Sequence, residues 1–282
     1  MVTVPLAAET IFHLGSFPVT NALINAVVAS LILIVVSFFI RRSIKMIPKR
    51  GQGFVELILE SVLGYFDKVT NDRKKSRQFL PFVGTLFFFI LLSNWMGLIP
   101  GTGSIGVWEM KEGVRELIPI FRPANSDLNL TLAMALLSVV ASHVIGIITL
   151  GFFAHANKFI QLGTMWKALR SLNPVKILVA VFELVVGIIE LFGEFAKIAS
   201  LSLRLFGNIF AGEVLMTVIG SLIAFLVPLP FMAIEIIVGL VQATVFSMLT
   251  LVYLTVATMH PHGDDEHKEH EETHANKTAL AH

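Results

Sequence analysis

The sequence predicts an all-α polytopic membrane protein. Two observations predict it. Of 282 residues, 55% are hydrophobic and 15% charged, against roughly 25% charged in an average soluble domain. Residues 79–99 and 128–157 contain no Asp, Glu, Lys or Arg, and about 20 apolar residues suffice to cross a bilayer. Cys is absent and the net charge is +1, which excludes a disulfide framework, a Cys-ligated zinc site and a strongly basic nucleic-acid binder. The stretch 1–20 holds no Lys or Arg, so no secretory signal peptide is predicted.

The first span is expected at about 21–40. It ends at RRSIKMIPKR, with five basic residues in ten. Residues 52–69 place Phe54, Leu57, Ile58, Val62, Leu63 and Phe66 at helical spacing, interrupted by Glu56, Glu60, Asp67 and Lys68. That pattern suits an amphipathic helix at the interface. A second basic cluster, NDRKKSR, precedes the second span at 79–99. A polar loop, 100–127, leads to the third span at 128–153. A basic segment without acids covers 154–176. Residues 175–226 form a stretch too long for one perpendicular crossing, PLP at 228–230 is expected to turn, and the last helix spans about 231–258. Residues 1–260 are thus one membrane domain with five crossings. Residues 261–282 are a polar tail, expected to be disordered. The basic segments 41–77 and 154–176 are expected in the cytoplasm, with the N-terminus outside and the C-terminus inside. No repeat suggests a secondary transporter, and no HExxH, Walker A or GxSxG motif suggests an enzyme.

The informative charges lie in 177–259: Glu183, Glu190, Glu194, Lys197, Arg204, Glu213 and Glu235. A charge at a helix centre costs about 2.5–3.5 kcal/mol on insertion scales. At about 100° per residue, Lys197, Glu190, Glu183, Glu194 and Asn208 fall within about 80° of Arg204. One stripe carries these polar groups, as on a helix lining a wet path or facing a charged partner. Glu213 falls near 180°, on the opposite face. Glu194 and Lys197 are i, i+3 and suit a simple pair. Arg204 cannot shed its proton, so it stays charged within the span.

The segment SLSLRLFGNIFAGE at 200–213 resembles the signature of the ion-translocating subunit a of the F-type ATP synthases. FHLGSFPVTN at 12–21, LPFVGTLFFFILLSNWMGLIPG at 80–101, PANSDLNLTLAMAL at 123–136 and LVQATVFSMLTLVYL at 240–254 resemble further blocks of that family. The resemblance implies a proton-translocating, non-catalytic subunit of the bacterial plasma membrane. Its last two long helices would lie tilted, as a hairpin, against the ring of c-subunits. It implies two aqueous half-channels, peripheral-stalk b subunits as further partners, the lipid bilayer as surroundings, no nucleic acid, and no cofactor or metal.

Residue by residue, Arg204 matches the essential arginine between the half-channels. Glu213 matches the acid of the outer half-channel, and Asn208 and Gln242 match polar positions near the arginine. Asp127, with Asn129, belongs to the outer motif. It is either part of a channel mouth or a helix N-cap. Ser202 is either a small packing residue or part of the polar path. Glu235 stands where one version of the family has a histidine. Two nearby carboxyls in a low-dielectric site do not both ionise readily, so Glu213 and Glu235 are expected to share a proton. A symmetric hairpin centred on Pro228 and Leu229 puts Gln242 opposite Leu215, whereas the family pattern places it nearer the arginine. His143, inside the third span, is read as a packing residue, with a place in a polar path as the alternative. The tail histidines His260, His262, His267, His270 and His274 are read as solvated, with metal binding as the alternative.

Overall fold

A computed structural model describes residues 5–45, 50–99, 101, 105–111, 114–152, 155, 174–222 and 227–259. The polar tail, most of the basic segment 154–176 and the connection 223–226 therefore lie outside the described residues.

The described residues form six α-helices and two antiparallel β-hairpins. The helices agree with the all-α expectation, and the two short hairpins are additions to it. The first joins β1 (Thr10–Leu14) to β2 (Phe17–Thr20), with Gly15 in the left-handed region at φ +66°. The second joins β3 (Gly106–Lys111) to β4 (Val114–Pro119) inside the polar loop. Both lie outside the helices, in segments whose residues alternate too briefly to give a strong period of two.

Helix α1 (Asn21–Ser43) starts at Thr20, whose hydroxyl accepts a hydrogen bond from the Leu23 amide at 3.3 Å. That satisfies one orphan donor of the first turn. Arg41 and Arg42 lie in its last turn, where cations suit the negative end of the helix. Its buried face is Asn21, Ala22, Asn25, Ala26 and Ala29, a stripe of small residues that lets neighbouring backbone approach. Leu31, Ile34, Val35, Phe38 and Phe39 are exposed, as an apolar face turned to lipid requires.

Helix α2 (Arg50–Thr70) is amphipathic and turns directly into α3 (Arg73–Gly97). Asn71 takes a left-handed φ of 51° in the turn, and the Asp72 carboxylate caps α3 by accepting from the Lys74 amide at 2.8 Å. The cap brings the basic cluster into the helix, so α3 begins well before residue 79. Helix α4 (Leu128–Leu150) ends at Gly151, whose φ of +88° only glycine adopts without strain. It stops three residues short of the expected 153.

Helix α5 (Pro174–Leu222) runs unbroken for 49 residues, about 74 Å at 1.5 Å per residue. That is more than twice the roughly 30 Å hydrocarbon core. Helix α6 (Pro228–Ala257) begins at Pro228 itself, because proline fits the first helical position, where its missing N–H is not needed. The PLP segment is therefore the first turn of a helix and not the expected turn. By length and composition, α1, α3, α4 and α6 are each able to cross a membrane.

The chain divides into two compact units. The first gathers residues 1–139 and 196–252; the second gathers 140–195 and 253–282. In the first unit, α5 buries Leu201, Ser202, Leu205, Ile209 and Gly212, and α6 buries Gly239, Gln242, Ala243, Phe246, Ser247, Thr250 and Leu251. Both sets follow helical spacing, so each helix has one packed face.

Candidate functional site

The packed face of α5 fixes where its polar residues point. With Leu201, Leu205 and Ile209 buried, Arg204 is left on the exposed side. Its guanidinium Nη2 donates to the Ser200 hydroxyl at 3.3 Å, one turn back. Among the described residues, no acid pairs with it. Leu203, on the same exposed side, is 55% exposed, so a fixed positive charge sits in an apolar surface. Ser202 faces the other way and is fully buried.

One turn beyond Arg204, the Asn208 amide donates to the Gln242 carbonyl oxygen at 2.7 Å. Gln242 therefore meets Asn208 rather than lying opposite Leu215, and the symmetric hairpin register is not the observed one. The register differs because Pro228 already belongs to α6. The Gln242 Nε2 is buried and has no hydrogen-bond acceptor among the described residues.

Glu213 occupies the inward face of α5, opposite Arg204. Its carboxylate meets Arg122, whose Nε lies 2.9 Å from Oε1 and 3.1 Å from Oε2. The Arg122 side chain is 2% exposed. Its Nη1 donates to the Ala7 carbonyl at 3.1 Å and its Nη2 to the Pro5 carbonyl at 2.9 Å. The Arg122 carbonyl in turn accepts from Asn25 at 2.7 Å. All three guanidinium nitrogens are thus engaged, by α5 and by the N-terminal segment.

Glu235, on α6, places its carboxylate against Gly212. A Cβ on residue 212 would lie within 2.4 Å of three carboxyl atoms, so the contact requires glycine. Asn94 and Trp95 of α3 hold this part of α6. The Trp95 indole donates to the Ile236 carbonyl at 3.1 Å and Asn94 donates to the Gly239 carbonyl at 3.4 Å. Asn125 donates to the Asn94 side-chain oxygen at 2.7 Å, tying the loop to the same corner. A cavity of about 350 Å³ opens here, lined among others by Asn94, Arg122, Gly212, Glu213, Met232 and Glu235. That is far above the roughly 15 Å³ that one water needs.

Asp127 stands at the start of α4. Its carboxylate accepts from the Asn129 amide at 2.9 Å and its carbonyl accepts from the Thr131 amide at 3.2 Å. This is N-cap geometry.

In the second unit, His143 Nδ1 lies 3.1 Å from His155 Nε2 and His143 Nε2 lies 3.4 Å from Glu194 Oε2. The rings are edge-to-face. The sequence reading preferred packing for His143, with a place in a polar path as the alternative, and offered Lys197 as a partner for Glu194. The fold joins His143, His155 and Glu194 in one polar chain.

Sequence reasoning missed Arg122, Asn94 and Asn125. Arg122 lies in a loop with both signs of charge, where a charge is ordinarily solvated. The one available signal was Glu213 itself, an acid facing inward with no cation nearby in sequence.

The ATP synthase A chain model matches residues 23–255. The chain belongs to that family. It is 32% identical over 244 residues to ATP synthase subunit a of Moorella thermoacetica, covering 86% of this chain and 93% of that protein. It is 34% identical over 233 residues to ATP synthase subunit a of Desulfotalea psychrophila, covering 82% and 81% of the two chains. It is 32% identical over 251 residues to the sodium ion specific ATP synthase subunit a of Propionigenium modestum, covering 89% and 78%. Family membership and the four long apolar helices make this a multi-pass membrane protein that belongs among ion-translocating subunits.

Proposed function

We propose that this chain carries protons between two aqueous half-channels and a rotating ring of c-subunits, as a non-catalytic subunit of an F-type ATP synthase in a bacterial plasma membrane. The ring lies along the exposed side of α5, with α5 and α6 forming a tilted hairpin against it. Peripheral-stalk b subunits hold the chain still. With five crossings, the N-terminus is outside and the C-terminus cytoplasmic.

The observation that carries this reading is Arg204. A guanidinium does not lose its proton at any accessible pH, and leaving it unpaired on an apolar helix face is costly. A carboxylate arriving from a partner resolves that cost. Arg204 then favours the deprotonated form of each ring carboxyl as it passes. It also repels a proton that would cross directly. One elementary charge across 100 mV is worth about 2.3 kcal/mol, so a leak would dissipate the gradient.

The cavity holding Glu213 and Glu235 serves as the outer half-channel. Asn208 and Gln242 extend its polar path toward the arginine. Ser202 and Asp127 are assigned to packing and to capping at its margins.

The ion assigned to this path is the proton, which moves onto a carboxylate to give a neutral acid. Transport by the whole complex in vesicles is expected to be the same with and without sodium. A strict sodium requirement would reverse the choice of ion.

The central test is Arg204→Ala in the assembled complex. Proton-driven ATP synthesis is expected to fall below a tenth of the parent value, with the complex intact. Coupled synthesis at the parent rate would refute the mechanism.

A further inference from the structure

The Arg122–Glu213 pair divides the labour between the two acids of the cavity. We propose that Glu213 is held as a permanent carboxylate by Arg122, and that Glu235 alone takes up and releases the proton in this cavity. Arg122 is then a positioning residue for the path. The inference rests on the half-channel reading above and deepens it.

The argument starts from Arg122. It is 2% exposed and always charged, so it needs a full set of acceptors. It has one: both Glu213 oxygens on Nε and two backbone carbonyls on the Nη atoms. Protonating Glu213 would remove the only negative charge in that set and strand a buried cation. Two neutral carbonyls solvate a guanidinium but do not balance it. Glu213 therefore remains charged for as long as Arg122 remains in place.

Glu235 has the opposite surroundings. Among the described residues, no side chain hydrogen-bonds to it or forms an ion pair with it. Its carboxylate rests against the Gly212 backbone and opens on the cavity. No fixed counter-charge holds it ionised, so it is available to take up and release a proton. The charges facing the cavity are thus Arg122, Glu213 and Glu235, with Glu9 of the N-terminal segment acting on Glu213 from farther off. The pair contributes no net charge, so Glu235 faces no uncompensated cation across the cavity.

A carbodiimide test separates the two acids in the unaltered complex, because carbodiimides add to protonated carboxyls in apolar surroundings. After brief treatment near neutral pH, peptide mapping of this subunit is expected to show an adduct at Glu235 and none at Glu213. An adduct at Glu213, or none at either acid, would overturn the proposal.

Passive proton conduction gives a second test. Glu235→Gln is expected to lower it at least tenfold in an assembled complex. Glu213→Gln strands Arg122 and is expected to fail, whereas Arg122→Gln combined with Glu213→Gln is expected to conduct at least fivefold better than Glu213→Gln alone. If the double variant does not assemble, the labelling result decides. A double variant that assembles yet conducts no better than Glu213→Gln would overturn the proposal. If Arg204→Ala also leaves coupling intact, the half-channel reading fails. If Arg204→Ala abolishes coupling and Glu235→Gln does not lower conduction, this inference alone fails.

Discussion

Arg122 and Glu213, 91 residues apart in the chain, form a buried ion pair at 2.9 Å in the first unit. The pair joins a loop to the C-terminal part of a 49-residue helix. It also ties in the N-terminal segment, through the Pro5 and Ala7 carbonyls. Removing one partner leaves the other charge buried. Breaking a buried pair in this way typically costs about 3–5 kcal/mol. Arg122→Leu is expected to lower the unfolding temperature of the complex and the yield of assembled protein, and to free residues 5–7 for proteolysis. An unchanged cleavage pattern would show that the pair does not hold the N-terminal segment.

Gly212→Ala puts a methyl group where the Glu235 carboxylate lies. The carboxylate is the far end of a flexible side chain, so it moves and the backbone stays. The stability cost is then at the low end for overpacking, about 1 kcal/mol. Proton pumping driven by ATP is expected to fall several-fold in a complex that still assembles. Parent-level pumping would mean that the position of Glu235 is unimportant.

Asp127 caps α4 through the Asn129 amide. Asparagine caps as well as aspartate, and alanine does not, at a cost of about 1 kcal/mol. Asp127→Asn is therefore expected to keep both stability and proton conduction, while Asp127→Ala loses stability. A large loss of conduction in Asp127→Asn would restore the carboxylate to the proton path.

Asp67, outside the membrane-spanning segments, is held below its ordinary value of 3.8 by the Ser76 hydroxyl first and by Arg73 next. A carboxylate lowered in the folded state binds its proton less readily there than in the unfolded chain. Its stabilisation is present above 3.8 and is lost as pH falls through the lower folded value. The α2–α3 turn is expected to loosen on acidification, read as faster amide exchange at residues 71–77. Asp67→Asn is expected to remove that pH dependence. The same acid response in Asp67→Asn would assign it to another group.

Much of the helical layout was legible in the sequence. The long charge-free runs marked α3 and α4, and the amphipathic pattern at 52–69 marked α2. The opposite placement of Arg204 and Glu213 followed from helical geometry alone, and the packed face of α5 agrees with it. Helix ends were less legible because they depend on local hydrogen bonds. The Asp72 cap draws a basic cluster into α3, and Pro228 starts α6 where a turn was expected. The two hairpins gave too short a signal to be seen.

By itself, the sequence determined that this is a membrane protein and that Arg204 and Glu213 take opposite faces of α5. These follow from composition and from a period of 3.6 residues, both local properties of the chain. Only the tertiary structure decided the partners. It gave Arg122 to Glu213, Asn208 to Gln242 and His143 to Glu194, and it set Glu235 against Gly212. Such pairings join residues dozens of positions apart, and helical periodicity carries no information about which helix or loop packs on a given face. The expectation that Glu213 and Glu235 share a proton stood on their residue types. The buried arginine beside Glu213 came from a loop, because an always-charged group out of water must find its counter-charge wherever the fold supplies one.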